Sequence, residues 1–330
     1  MNNAETVLDV KDLKVALKFG EIFKAVVRGV DFSLKEGEIL GILGESGSGK
    51  SVTVKSLLGL MPENIISREG KAIFEGHDLL LYSPKKLKKI RGKSIGFVFQ
   101  NSNITMNHFM SVNGHFKEMY RVHKLPYKKE NVLSLLEEVG IKDPKVLIEM
   151  YPHQLSGGLS QRVGIALALC HNPKIIIADE PTSSIDASLR TKILELFRQI
   201  NKKHGTAIIL ITHDFEVAQK YCDNVAIMYG GVFFEYGETQ MIFNQPLTPY
   251  TASLKKCAES LYNSDKVLYQ LKGYSPSPLA FENNCPFAER CNKKISKCNE
   301  VMPKKTVSKN RMFRCWNPLD IEKRACNDEI

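Results

Sequence analysis

The chain has 330 residues, 43% of them apolar and 25% charged, a composition that suits a folded globular protein of one large or two moderate domains. No apolar run approaches the roughly 18 residues of a membrane-spanning helix, and Met1-Asn2-Asn3-Ala4-Glu5-Thr6 lacks a signal-peptide pattern, so a cytoplasmic protein is expected, any membrane role coming through partner subunits. The net charge of +10 is accompanied by no nucleic-acid recognition motif, so nucleic acid is not expected as a partner, and runs such as Lys85-Lys86-Leu87-Lys88-Lys89 read as solvated helix faces.

Residues 7 to 43 read as strands, with turns at Phe19-Gly20-Glu21 and Lys35-Glu36-Gly37, which predicts an antiparallel β layer. Gly37 to Leu43 reads as a short buried strand and Val52 to Leu60 as a helix. Between them lies Gly44-Glu45-Ser46-Gly47-Ser48-Gly49-Lys50-Ser51, which fits the phosphate-loop pattern at every specified position. The physics is an anion site at a helix N-terminus. Backbone N–H groups of the glycine-rich turn converge on the β-phosphate of a nucleotide such as ATP, Lys50 reaches the β- and γ-phosphates, and the Ser51 hydroxyl is placed for Mg²⁺.

From about Ile104 to Gly158 the texture turns helical, with Val132, Leu133, Leu135, Leu136 and Val139 spaced for one apolar face, as in a helical insertion. Lys174 to Ala178 and Thr206 to Ile211 are continuous apolar runs, the pattern of strands buried on both faces of a parallel sheet, and Ser188 to His204 is an amphipathic helix between them. The first run ends in Asp179-Glu180, two carboxylates at the C-terminal end of a buried strand, where open α/β sheets bind ligands. Asp179 is suited to hold Mg²⁺ and Glu180 to polarise a water for attack on the γ-phosphate.

Leu155-Ser156-Gly157-Gly158 followed by Gln161-Arg162, some 20 residues before the acidic strand, resembles the signature motif of the nucleotide-binding subunits of ABC transporters. The resemblance covers roughly residues 7 to 262, because five separated motifs occur in the order of that family. It implies an α/β phosphate-loop ATPase domain, 1–262, with an antiparallel β subdomain and a helical subdomain at about 101–165. Ser156, Gly157 and Gly158 would donate to the γ-phosphate of a partner's ATP, giving a head-to-tail dimer, homologous or identical, with two nucleotides between subunits. Gln100 resembles the glutamine that touches Mg²⁺ or the attacking water and signals to the membrane subunits. Ser183-Ser184-Ile185-Asp186 resembles the loop that crosses the dimer interface, and His213 the histidine that contacts the γ-phosphate. Phe19 is the expected adenine-stacking residue, with Phe23 as alternative. Importers of this kind usually follow the glutamine with Asp-Pro; here Asn101-Ser102-Asn103 stands instead, which bears on coupling to the membrane partner and not on ATP binding.

Asn244 to Leu254 resembles the Pro-Leu-x-Pro-Tyr-Thr segment of the di- and oligopeptide, and nickel, importer ATPases. That implies two transmembrane permease subunits, an extracytoplasmic solute-binding protein and a peripheral place on the cytoplasmic side of the membrane. After Tyr274-Ser275-Pro276-Ser277-Pro278, the tail at 263–330 carries Cys285, Cys291, Cys298 and Cys315, half of the chain's eight cysteines within 31 residues. The gaps of five, six and sixteen residues are wider than the paired knuckles of structural zinc sites. The same subfamily places these cysteines at its C-terminus, and the resemblance points to a 4Fe-4S cluster in at least some members, with zinc as the alternative. Cys170, Cys222, Cys257 and Cys326 show no such grouping, and the first two read as buried core.

Three functions follow in order: an ATPase driving peptide import, the same role for nickel or a metal chelate, and a non-transport ABC ATPase acting on DNA or ribosomes. The last usually carries two cassettes, coiled coils or inserted zinc modules, none of which is present.

Overall fold

The computed structural model describes residues 5–62, 66–183, 185–262, 269–277, 280, 283–308 and 310–319. Ser184, Pro278 and Cys326 among the positions singled out above lie outside these. The chain divides into two compact units, one of Met1–Val7, Leu34–Ile39 and Leu81–Ile211, the other of Leu8–Ser33, Leu40–Leu80 and Thr212–Ile330.

The elements begin with strands β1 (Thr6–Phe19), β2 (Ile22–Lys35) and β3 (Ile39–Leu43), then helix α1 (Lys50–Leu57) and strands β4 (Ile66–Phe74) and β5 (His77–Asp78). In the second unit these give an antiparallel layer in the order β2-β1-β4-β5. The expected turns stand at residues 20–21 and 36–37. β1 buries Leu8, Val10, Leu13 and Val15, the period breaking at a register shift between Lys11 and Lys14 in its pairing with β4.

The first unit carries α2 (Pro84–Ile90), β6 (Ile95–Val98), α3 (Ser102–Thr105), α4 (Val112–Val122), α5 (Lys129–Glu138), α6 (Pro144–Leu147), α7 (Gly157–Leu169), β7 (Ile175–Asp179), α8 (Ala187–His204) and β8 (Ala207–Thr212). β6 pairs parallel with β7, and β7 with β8. Every residue of β7 and β8 is buried, which is why their sequences run apolar without alternation. Helix α8 stops at Gly205, whose φ of 65° closes its last turn through a bond from the Gly205 N–H to the Asn201 carbonyl.

The second unit continues with α9 (Phe215–Tyr221), β9 (Asn224–Tyr229), β10 (Val232–Glu238), α10 (Thr239–Asn244), α11 (Pro249–Tyr262), β11 (Thr306–Ser308) and β12 (Arg311–Phe313). β9 pairs parallel with β3 and antiparallel with β10. The tail enters this sheet: β12 pairs antiparallel with β10, Glu235 opposite Phe313 and Tyr236 opposite Met312. Phe287, Ala288 and Phe313 are buried, so the tail's few apolar side chains are spent on the unit that receives it. Among the described residues no helix is long and apolar enough to cross a membrane.

Candidate functional site

The loop from Gly44 to Ser51 joins β3 to α1 with glycines at the points where a side chain cannot stand. Gly44 has φ 153°, and a Cβ there would lie 2.1 Å from the Met228 carbonyl oxygen; Gly49, at φ 107°, is the residue before the helix. Gly47 also has positive φ, 79°, with open space where its Cβ would be. No side chain caps the start of α1. Lys50 is buried and its ammonium donates to the carbonyls of Gly44 (2.8 Å) and Glu45 (2.9 Å), folding the side chain across the loop. Ser48 and Gly231 anchor the loop from behind, the Gly231 N–H donating to the Ser48 carbonyl at 3.0 Å. Such a loop offers a cation and a row of N–H donors to a phosphate chain.

Sequence reasoning did not find what stands beneath and beside that loop. Tyr250, the tyrosine of the Pro-Leu-Thr-Pro-Tyr-Thr segment, is fully buried; its hydroxyl accepts from the Glu45 N–H (3.3 Å) and donates to the Met228 carbonyl (3.5 Å). Its ring lies 4.6 Å from that of Tyr229 and 5.1 Å from that of Phe287. Burial holds the Tyr250 hydroxyl well above its ordinary pKa, so it stays a hydrogen-bond donor. The segment leading to Tyr250 is held by Glu235, whose Oε1 accepts from the N–H groups of Leu247 (3.0 Å) and Thr248 (2.7 Å). Burial raises the Glu235 carboxyl, against the pull of those donors. The Glu45 carboxylate turns to Arg290, at 2.8 Å. The two pairs that end on Glu45 lie 205 and 245 residues apart in sequence, and the one available signal was the tyrosine in a proline-bounded segment.

His213, in the same unit, is exposed at the end of β8. It precedes Asp214, which caps α9 by accepting from the N–H groups of Glu216 and Val217. Phe19 and Phe23 flank the β1–β2 turn with 37% and 50% of their surfaces exposed, so both offer a ring face to solvent.

In the first unit both carboxylates stand at the C-terminal end of β7. Asp179 is buried at the end of β7, while Glu180 follows in the left-handed region at φ 46°, uncommon for a side-chain-bearing residue. Its N–H donates to the Ile211 carbonyl (3.1 Å), and Gln100 Nε2 reaches its Oε2 at 3.5 Å, a long contact. Gln100 thus stands beside Glu180 and near the end of β6. Ser156 caps α7, its hydroxyl accepting from the Leu159 N–H at 3.4 Å, and Ser156 and Gly157 are exposed. Gly158 is buried where α7 crosses α8: a Cβ there would meet Leu189 at 1.9 Å. Among the described residues of the loop at 183–186, Ser183 donates from its hydroxyl to the Glu180 carbonyl at 3.1 Å.

In the tail, Cys285 and Cys298 are buried and Cys291 and Cys315 half-buried, none of them in a disulfide. The Cys285 N–H donates to the Cys298 carbonyl at 3.0 Å. The Cys285 thiol is pushed up to about 12 by burial, with Cys298, Cys315 and Cys291 adding to the effect. Burial also raises Cys315, to about 11, and Cys291, in each case with neighbouring thiols contributing. The four are close enough to feel one another, yet among the described residues no three His, Cys, Asp or Glu side chains are arranged to hold a metal ion. Cys222 is buried as expected, and Cys170 is half-buried.

The ABC transporter family pattern matches residues 27–183, and the pattern of the oligopeptide/dipeptide transporter C-terminal region matches 234–298. The chain is 40% identical over 318 residues to the dipeptide transport ATP-binding protein DppD of Bacillus subtilis (strain 168), covering 94% of this chain and 95% of that one. It is 36% identical over 321 residues to the oligopeptide transport ATP-binding protein OppD of Escherichia coli (strain K12), covering 96% and 95%. Among solved structures, a dimeric ATP-binding cassette in a post-hydrolysis state with ADP and Pi aligns with TM-score 0.63 at 27% identity, over 70% of this chain and 98% of that one.

Proposed function

This chain belongs to the ATP-binding subunits of ABC transporters, in their oligopeptide and dipeptide branch, and we propose that it hydrolyses ATP to drive uptake of di- or oligopeptides through two transmembrane permease subunits. The observation that carries this reading is likeness along nearly the whole chain to dipeptide and oligopeptide transport ATPases, C-terminal region included. Each unit supplies its part of the chemistry. In the second, Lys50 and the N–H groups of Gly44 to Ser51 hold the phosphates of ATP, with Ser51 at Mg²⁺, an aromatic of the β1–β2 turn at the adenine and His213 at the γ-phosphate. In the first, Asp179 holds Mg²⁺, Glu180 takes the proton of the attacking water and Gln100 orients both.

Ser156, Gly157 and Gly158 serve the nucleotide of a second ATPase subunit, which agrees with the exposure of Ser156 and Gly157 and with the dimeric cassette among the structural neighbours. The permease subunits hold the chain at the cytoplasmic face of the membrane, and Ile104 and Phe109, 74% and 94% exposed just after Gln100, give them an apolar surface to grip. Peptide reaches them through an extracytoplasmic solute-binding protein. The test is reconstitution of the assembled transporter in liposomes. MgATP hydrolysis should rise when the solute-binding protein is loaded with a di- or oligopeptide; stimulation by nickel or a metal chelate in place of peptide would overturn the substrate assignment.

Cys285, Cys291, Cys298 and Cys315 have the donor chemistry of a soft-metal centre: four thiols within 31 residues, none of them in a disulfide. We assign them to a 4Fe-4S cluster. Ligation by thiolates would add folding energy to a tail with 13 Lys and Arg against 8 Asp and Glu. Protein purified without oxygen should be brown and hold iron and sulfide near four each. Colourless protein with about one zinc, or with four freely reacting thiols, would refute the cluster.

A further inference from the structure

Arg290 stands immediately before Cys291 in the tail and reaches back to the phosphate loop of the same unit. Its side chain is only 9% exposed. Nη1 donates to Glu45 Oε2 at 2.8 Å and to the Tyr229 hydroxyl at 3.0 Å, while Nε donates to the Lys272 carbonyl at 2.9 Å. The guanidinium lies over the rings of Tyr229 and Phe287, 5.7 and 5.9 Å from their centroids. Three hydrogen bonds and two ring faces leave it one position to occupy.

Glu45 is an odd residue for its place. The loop is built to receive a polyanion, and a carboxylate next to Gly44 repels one. Its Oε2 is matched by Arg290, while Oε1 is buried with no hydrogen-bond partner among the described residues. Removing the guanidinium would leave an uncompensated, part-buried negative charge in the loop, a larger loss than an exposed ion pair would cause.

We propose that Arg290 is a positioning residue of the nucleotide site: it neutralises Glu45 and fixes its side chain, so that the loop presents donors and not a carboxylate to ATP. Nucleotide affinity in this chain then depends on the cysteine-bearing tail that aims Arg290. The proposal rests on the reading of Gly44 to Ser51 as the ATP loop.

The experiment measures MgATP binding and steady-state hydrolysis in the full chain assembled with its partners. Arg290→Ala should raise Kd and KM for ATP about tenfold, about 1.4 kcal/mol, with kcat within about twofold of wild type. Measured in a Glu45→Gln background, the same substitution should cost less than about twofold, because the charge to be neutralised is gone. Arg290→Lys, which keeps the charge without the guanidinium's hydrogen bonds, should recover part of the affinity, and Arg290→Gln, which removes the charge, takes the place of Arg290→Ala should that variant fail to fold. The proposal fails if Arg290→Ala binds ATP like wild type, if its cost is the same in both backgrounds, or if Arg290→Lys is as impaired as Arg290→Ala. Wild-type protein that binds no ATP would instead strike the nucleotide reading itself.

Discussion

Tyr250 offers the sharpest check on the idea that the Pro-Leu-Thr-Pro-Tyr-Thr segment supports the phosphate loop. In Tyr250→Phe the ring stays in its cluster with Tyr229, Phe234 and Phe287, and the hydroxyl alone is lost. Its two bonds, at 3.3 and 3.5 Å, are long, so the cost is that of one weakly satisfied buried N–H at Glu45, about 1 kcal/mol. For a chain of this size that lowers Tm by about 2 °C. If about half of that energy is expressed in the ATP-bound loop, MgATP affinity falls about twofold. Tyr250→Ala leaves a void where a fully buried aromatic stood, and should cost about 3 to 5 kcal/mol. Calorimetric titration with MgATP and thermal unfolding of both variants supply the readings. A Tyr250→Phe protein with unchanged Tm and unchanged affinity would show that the hydroxyl does not support the loop. A Tyr250→Ala protein as stable as wild type would refute the packing argument altogether.

Glu180→Gln should still bind ATP while its hydrolysis falls roughly 10²- to 10⁴-fold, the usual worth of a positioned general base; turnover at the wild-type rate in a single-turnover assay would remove Glu180 from that role. Glu235 should make stability depend on pH in a stated direction. Its folded carboxyl is raised by burial, so the benefit of burying it protonated is complete below the ordinary carboxylate range and is lost as pH rises through the folded value. Urea midpoints should therefore show wild type losing ground against Glu235→Gln as pH rises above the ordinary carboxylate range, and parallel profiles for the two proteins would contradict this.

The cassette was legible because its chemistry is written in short, contiguous runs. A glycine pattern before a helix, two carboxylates after four buried residues, and a serine before two glycines each state their own backbone geometry, and the positive φ of Gly44, Gly47 and Gly49 is what those glycines are for. The strand texture and turns of residues 7 to 43 and the unbroken apolar runs of β7 and β8 separated the antiparallel layer from the parallel strands, because burial on both faces leaves a local trace. What stayed hidden is made of pairs that only folding creates. Glu45 and Arg290 are 245 positions apart, and nothing in either neighbourhood names the other. The tail looked too polar to fold on its own, and the text of the sequence could not say that β12 would take its hydrogen bonds from β10. Phe19 and Phe23 remained equivalent because both flank the same exposed turn, and composition carries no information about which ring a base would meet.

The second unit gathers features that the sequence presents as unrelated: the phosphate loop, a proline-bounded tyrosine segment and a cysteine-bearing tail. Their meeting point is physical. Glu235 fixes the backbone at Leu247 and Thr248, which sets Tyr250 beneath Glu45; Tyr229 packs on Tyr250 and takes a hydrogen bond from Arg290, which in turn holds the Glu45 carboxylate. A change in the tail therefore reaches the loop through two side-chain contacts, Arg290 with Glu45 and Phe287 with Tyr250, and not through a long relay. Because both contacts end on the residue that follows Gly44 or on the ring beneath it, they bear on how tightly the loop holds phosphate. Asp179 and Glu180, the carboxylates of the proposed chemistry, belong to the other unit, where Glu180 is held by the Ile211 carbonyl and Gln100, so on that proposal disturbing the tail should lower ATP affinity first and the chemical step last.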